Sequence, residues 1–440
     1  MLALVSHPAK SRWSPRRGRS MELTRQLSLE EVAVPAVPAR GWVLVRPLLA
    51  GISSDDLRML EQKTSPLLTA VAGDHQELIL GHEVVGVVEE VTRTGARFSP
   101  GDRVILHSPL SCYHKGLSPC ARCLSGDIHV CENRDRAGPL CSGHAIGASP
   151  TTGGGWGELL AAHEDMLVAA ESIPDQRAVL IEATATAIHA CDRWKGTGET
   201  AAVIGTGAES ALMVATLARL YSSARISVLS MRENPDTAEV RSAELYFSTL
   251  GAGSLRVGSA GELLDAMADS LSARRLLVEG DTLPILDGGL GCVVDTMATT
   301  GSIDLSVRLL RAGGLLIIMG APEIEQVPWP LLASREITIK LVGTSGGARH
   351  RKTAFLTARD WLADESFRVS GVVTHRFALS EFSTALTTAR QHSLLPHKVV
   401  FQSGLTPLRN TPPEDTDDEG APIFFGLSRK PNAADQDWDK

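Results

Sequence analysis

Ala201-Ala202-Val203-Ile204-Gly205-Thr206-Gly207-Ala208-Glu209-Ser210 reads as a short buried strand that runs without a break into a glycine turn and a helix. Met213, Leu217 and Leu220 then recur at i, i+4 and i+7, the spacing of an apolar helix face, and Ile226 to Leu229 supplies a second strand. Strand, glycine turn, helix and strand are the setting a dinucleotide-binding fingerprint requires. Gly205 permits the tight turn and Gly207 lets backbone approach a pyrophosphate. The helix from about Ala208, with Glu209 in its first turn, offers free N–H groups and a positive dipole end. Ser210 stands where a third glycine is usual, at some cost in closeness between helix and sheet. Strands at Gly291 to Thr296 and Leu315 to Met319, with a helix from about Ile303 to Leu310 between them, extend the pattern into an α/β, doubly wound parallel sheet.

The end of the second strand bears on cofactor choice. An acidic residue there would accept hydrogen bonds from the ribose hydroxyls of NAD, whereas this chain has Ser230-Met231-Arg232. A hydroxyl and a guanidinium suit a 2′-phosphate, so NADP is the expected cofactor. Glu233 keeps NAD as the alternative if the strand ends one residue later.

Upstream the pattern is different. Met1 to Val5, Leu27 to Val34, Trp42 to Arg46, Leu48 to Ile52, Val84 to Val88 and Val104 to Leu106 are short β-type runs broken by Pro and Gly, which predicts a small, mostly antiparallel β domain. Thr152 to Gly157 is a glycine loop with no helix after it and reads as a flexible bend. Ala178 to Trp194 is apolar at helical intervals, with Glu182 near its start.

Between these runs lies a cysteine cluster. Cys120 and Cys123 form a C-x2-C pair, and Cys131 follows after seven intervening residues, so three thiolates share one short loop. A tetrahedral structural zinc needs a fourth ligand; Cys112 is the candidate on one side and Cys141 the competitor on the other. An odd total of seven cysteines, four of them clustered, fits a metal site in a reducing, cytoplasmic compartment better than a disulfide framework.

At 440 residues, two domains are expected. A net charge of −8 with no concentrated basic face argues against a nucleic-acid partner, and no apolar run is long enough to span a bilayer. The basic stretch Ser11 to Arg19 reads as an exposed loop rather than a targeting peptide, since Met1 to Val5 already reads as a strand. After Lys398 to Phe401 the chain turns acidic and polar, and residues 403–440 are expected to be a disordered tail whose apolar island is Ile423-Phe424-Phe425.

Taken in order, Gly51-Ile52, Gly81-His82-Glu83 with Gly86, Gly101-Asp102-Arg103-Val104, the cysteine loop, Glu182, Gly205-x-Gly207, Val294-Asp295, Gly313-Gly314 and Thr374-His375-Arg376-Phe377 resemble the medium-chain dehydrogenase/reductase family. The likeness is to its zinc-containing alcohol and polyol branch and covers most of residues 25 to 402. The resemblance implies a GroES-like β domain, residues 1–175 with the zinc loop at 112–131, and a Rossmann domain, 176–325. Residues 326–402 would return to the sheet edge and the first domain. It implies a structural zinc on Cys112, Cys120, Cys123 and Cys131. His82 and Glu182 carry over as ligands of a catalytic zinc, Glu83 as a carboxylate that exchanges onto the metal, and Asp56 as the acid that orients His82. A homodimer or homotetramer, pairing sheets near the strand after Glu336, is implied in the same way.

One departure matters most. Family members with catalytic zinc have cysteine where this chain has Ser53, in the run Ser53-Ser54-Asp55-Asp56. A hydroxyl is neutral at pH 7 and a poor substitute for a thiolate. Three functions compete. The first is hydride transfer between nicotinamide and a small alcohol or carbonyl at an atypical zinc site, Ser54 or Asp55 passing the proton. The second is reduction of an activated C=C or iminium without catalytic zinc, with Asp55, Glu83 or His82 as acid or base. The third is a non-catalytic dinucleotide-binding protein.

Overall fold

A computed structural model describes residues 1–7, 26–61, 77–92, 96–192, 194, 200–320, 326–343 and 350–404. The basic stretch Ser11 to Arg19, the acidic tail beyond Gly404 and most of the loop from Gly343 to His350 lie outside the described residues.

Strand Thr200–Ile204 sits inside a six-stranded parallel sheet. Its spatial order is Ser254–Gly258, Arg225–Met231, Thr200–Ile204, Leu290–Asp295, Leu310–Met319, Thr338–Val342. Counted along the chain, this is the doubly wound order 3-2-1-4-5-6, and the reversal falls between Thr200–Ile204 and Leu290–Asp295. Successive side chains of a strand point to opposite faces, and this strand is apolar on both. Ala201 and Val203 pack with the helix Ala208–Leu220, while Ala202 and Ile204 pack with Ala260–Leu271 and Thr300–Leu309. Helices therefore cover both faces of the sheet.

The second sheet is mainly antiparallel. Its order is Val373–Phe377, Lys398–Gln402, Trp42–Gly51, Val84–Val91, Arg103–Leu106, Leu167–Ala169, with Leu160–His163 also on Trp42–Gly51. Lys398–Gln402 brings a late segment back against Trp42–Gly51, so both ends of the described chain build this sheet. Leu2–Ser6, Leu27–Glu31 and Leu78–Ile79 form a third, three-stranded antiparallel sheet.

Three local readings are corrected by this structure. Trp42 to Arg46 and Leu48 to Ile52 are one strand, Trp42–Gly51, because Pro47 lies opposite Gly86 at a shift of register and the ladder resumes at Leu49. The helix expected over Ala178 to Trp194 runs Ile181–Cys191, with Glu182 in its first turn, and a separate short helix, Asp175–Ala178, precedes it. The glycine loop Thr152 to Gly157 is a packed seam, not a flexible bend. Gly155 N–H donates to Gly81 O, Trp156 N–H to Leu80 O, and a Cβ on Gly154 would lie 2.1 Å from Ile79 O, so no side chain fits there.

Candidate active site and metal centre

The seam and the turn it supports position His82. Helix Ser54–Leu60 starts at Ser53, whose Oγ accepts from Asp56 N–H at 3.0 Å and donates to Asp56 Oδ2 at 2.7 Å; Ser53 N–H also donates to Oδ2, at 2.9 Å. This capping box turns the other oxygen of Asp56 towards the Gly81-His82 turn. Gly81 N–H donates to Asp56 Oδ1 at 3.3 Å, and His82 Nδ1 lies 3.4 Å from it. Burial opposes the imidazolium of His82, but Asp56 foremost, with Glu182 and Glu83, outweighs it and holds the pKa well above the ordinary histidine value. Burial likewise opposes the Asp56 carboxylate, yet His82 and the Ser53 hydrogen bonds hold its pKa low.

Glu83 is engaged elsewhere. Its Oε2 lies 2.6 Å from Lys398 Nζ, and both side chains are buried. Burial disfavours the ammonium, but Glu83, followed by Glu209 on the fingerprint helix, raises the Lys398 pKa. Lys398 was not singled out in the sequence; its partner is far away along the chain, so no local spacing points to it.

Gly205 has φ +115°, and a Cβ there would meet Thr296 Oγ1 at 2.5 Å. Gly207 precedes the first helical residue, and among the described residues no side chain caps it. A Cβ on Gly207 would find only Glu209 Oε2, at 3.7 Å, so the space above this backbone is open. Ser210 is fully buried and shares a hydrogen bond with Thr296 Oγ1 at 2.7 Å, so its hydroxyl is satisfied in the cramped third-glycine position. Ser230 is buried inside the strand Arg225–Met231; Arg232 stands just past it, with Nη1 2.9 Å from Glu239 Oε1. Ser54 is exposed, and Asp55 is half-buried with Arg58 Nη1 at 3.6 Å.

Two groups of three or more His, Cys, Asp or Glu side chains converge within 4.8 Å among the described residues. One is Cys112, Cys120, Cys123 and Cys131. Cys112 Sγ lies 3.5 Å and Cys120 Sγ 3.9 Å from Cys131 Sγ. Four thiolates at zinc–sulfur distances of about 2.3 Å would stand roughly 3.8 Å apart, so the set fits a tetrahedral zinc. Burial opposes the Cys120 thiolate, but N–H donation from Cys123 and Glu132, each at 3.4 Å, lowers its pKa to about 6. Cys141 turns away, donating to His114 O at 3.4 Å.

His82, Glu83 and Glu182 are not such a group. Ser53 is consumed by its capping box, Glu83 is neutralised by Lys398, and His82 and Glu182 remain, within electrostatic reach of each other. Two protein donors without a thiolate do not fit a four-coordinate zinc that needs three protein ligands.

His144 lies within electrostatic reach of His82. Its Nδ1 is sealed from solvent with no hydrogen-bond partner, and burial, then the charge of His82, lowers its pKa to about 4. A folded value below the ordinary 6.5 means that stability is fully present above about pH 6.5 and is lost as the pH falls through about 4. Thermal unfolding of wild type and His144→Gln across this range should show the wild type losing more stability on acidification. Parallel profiles would remove His144 from the acid limb.

Residues 39–175 match the model of the alcohol dehydrogenase GroES-like domain. Sorbitol dehydrogenase of Bacillus subtilis is 23% identical over 375 residues, covering 84% of this chain and 92% of that protein. L-Threonine 3-dehydrogenase of Anaeromyxobacter dehalogenans is 24% identical over 382 residues, covering 85% and 94%. Among solved structures, 2R,3R-butanediol dehydrogenase from Bacillus subtilis superposes with a TM-score of 0.65 at 16% identity, over 92% of this chain and 99% of that one. An alcohol dehydrogenase from Thermotoga maritima gives 0.65 at 21% identity, over 91% and 99%. These two likenesses concern the fold.

Proposed function

We propose that the chain is a member of the medium-chain dehydrogenase/reductase family, beside its polyol and threonine dehydrogenases, and that it moves a hydride between a nicotinamide dinucleotide and the carbinol or carbonyl carbon of a small alcohol or ketone. It is an NAD(P)-dependent oxidoreductase of the alcohol dehydrogenase type. One observation carries the detail. Lys398 is paired to Glu83, next to His82, and is also within electrostatic reach of Glu209, two residues after Gly207, which supports reading the acid–base residue and the cofactor turn as parts of one site.

A nicotinamide held over Gly205 and Gly207 would supply the hydride, and in the direction of reduction His82, held as imidazolium by Asp56 and Glu182, gives its proton to the carbonyl oxygen. Oxidation runs in reverse, the neutral imidazole taking the hydroxyl proton. In this reading Asp55 and the exposed Ser54 pass the proton to water. Zinc belongs to the cysteine cluster, where four thiolates meet, and supplies structure there. The engagement of Ser53 and Glu83 favours hydride transfer without a catalytic zinc. The test is turnover of NADPH and NADH on a panel of ketones, aldehydes, activated alkenes and iminium substrates, before and after chelation that leaves the cysteine zinc in place. Unchanged turnover is expected; loss of turnover with a second, labile zinc would restore a metal site at His82, and cofactor binding without turnover would leave a non-catalytic protein.

NADP is the preferred cofactor in this reading, because Arg232 stands at the strand end where an acid would serve NAD. Its pairing with Glu239 means that a 2′-phosphate must share the guanidinium. Arg232→Ala is expected to weaken NADPH binding about tenfold, the scale of one charge-assisted contact, and to leave NADH unchanged. Equal effects on both would withdraw the preference. The edge strand Thr338–Val342, with Leu341 64% exposed, supports assembly of copies through this edge as a homodimer or homotetramer. No described helix is long and apolar enough to cross a membrane, and the seven free thiols favour a cytoplasmic setting.

A further inference from the structure

The second converging group, His114, His163 and Asp165, belongs to neither the cysteine cluster nor the hydride-transfer site. His114 lies in the short helix Cys112–Lys115, and His163 ends the strand Leu160–His163. Asp165 Oδ1 lies 2.9 Å from His114 Nε2 and 2.7 Å from His163 Nδ1. Both imidazoles are buried, whereas the carboxylate is 47% exposed and open to solvent. The rings are fixed from behind. Trp42 meets His163 edge-on at 6.0 Å and Tyr113 at 5.2 Å, and His163 Nε2 abuts the Gly41 backbone, where a Cβ would approach to 2.5 Å.

We propose that His114, His163 and Asp165 form a second metal site, binding a divalent zinc-, nickel- or cobalt-type ion through two imidazole nitrogens and one carboxylate oxygen. Such ions take mixed imidazole and carboxylate ligands and tolerate water in the remaining positions, which the exposed face of Asp165 can supply. Ligands of a tetrahedral ion bonded at about 2.0–2.1 Å stand roughly 3.4 Å apart, so the present spacings of 2.9 and 2.7 Å need to open by about 0.5–0.7 Å. Asp165, the exposed member, is free to move by that much.

The ligand nitrogen of His163 already faces the carboxylate. Nδ1 faces the Asp165 backbone N–H at 3.3 Å and the Asp165 carboxylate at 2.7 Å, one a donor and the other an acceptor. Neither protonation state of Nδ1 suits both. An ion between Nδ1 and Oδ1 takes the single lone pair of Nδ1 and replaces the short contact to the carboxylate, at the expense of the long bond from the Asp165 N–H. At His114, Nδ1 now accepts from Ser111 N–H at 3.0 Å, so the Nε2 proton must move to Nδ1 when an ion binds; Ser111 Oγ, 3.1 Å away, accepts it, at the expense of the backbone bond. The ion would tie the helix that carries Cys112 to the strand Leu160–His163, fastening the cysteine loop to the antiparallel sheet.

The test uses full-length protein with its cysteine site loaded with zinc, titrated with Co²⁺ and followed by visible absorption and by metal content after dialysis. One further equivalent is expected, with the weak d–d bands of a nitrogen–oxygen set and no thiolate-to-cobalt charge transfer. Asp165→Asn, which keeps an oxygen able to accept both imidazole hydrogen bonds, and His163→Gln should each weaken this binding at least tenfold while the cysteine zinc stays in place. His82→Ala should leave it intact. No equivalent beyond the cysteine site, equal Co²⁺ affinity in Asp165→Asn, or loss of the equivalent in His82→Ala would each overturn the proposal.

Discussion

His82→Ala is expected to lower kcat by about 10²–10⁴-fold, the usual contribution of a positioned general acid, with the dissociation constant of the nicotinamide cofactor unchanged. The split follows from position. His82 reaches the fold through Asp56, which is held by the Ser53 cap, while Gly205 and Gly207 are held by a different sheet. The cofactor turn therefore loses nothing when the imidazole goes. Asp56→Asn tests the same step from behind. It keeps much of the geometry and removes the charge that favours the imidazolium, so the pH at which reduction falls off should move down. Cofactor fluorescence titration and single-turnover hydride transfer separate the two quantities. A variant lacking His82 that turns over at the wild-type rate would defeat the assignment.

The parallel sheet was legible because its decisive features are local. Ala201 to Ser210 states strand, turn and helix within ten residues, and the C-x2-C pair states a metal loop in four. The reach of Cys112 was the harder inference, resting on the resemblance, and the structure brings its sulfur to the other three rather than that of Cys141. What escaped depends on contacts between distant segments. Lys398 meets Glu83 across 315 residues, and His163 and Asp165 meet His114 from about fifty residues away, none at a spacing that names a partner. The glycines of Thr152 to Gly157 signal a special backbone; whether they make it loose or crowded depends on Ile79, Leu80 and Gly81 closing over them. Ser53 was conspicuous as an absent thiolate, but only the structure shows its hydroxyl spent on the helix cap.

Cys123→Ser should abolish zinc binding at the cysteine cluster and unfold the loop from Cys112 to Cys131 without dissolving either large sheet. The four sulfurs are spaced for one ion, and two backbone N–H groups aimed at Cys120 prepare a thiolate before metal arrives. Removing one ligand leaves three thiolates crowded together with one buried lysine nearby. Lys115 Nζ is already committed to the carbonyls of Asn133 and Arg134, at 2.8 and 2.9 Å. Zinc contributes about 10–16 kcal/mol to the folding of small zinc-binding peptides, far more than this loop gains from its few buried apolar groups. The helices Cys112–Lys115 and Ala121–Leu124 have four residues each, too short to persist alone. Elemental analysis should read one zinc per chain fewer than wild type. Limited proteolysis should cut within 112–131 in the variant and spare it in the wild type, while the hydrophobic clusters around Val203 and Ile204 keep the parallel sheet cooperative. Retention of zinc by Cys123→Ser, or equal resistance of the loop to protease, would mean that these sulfurs are packed thiols rather than a metal site.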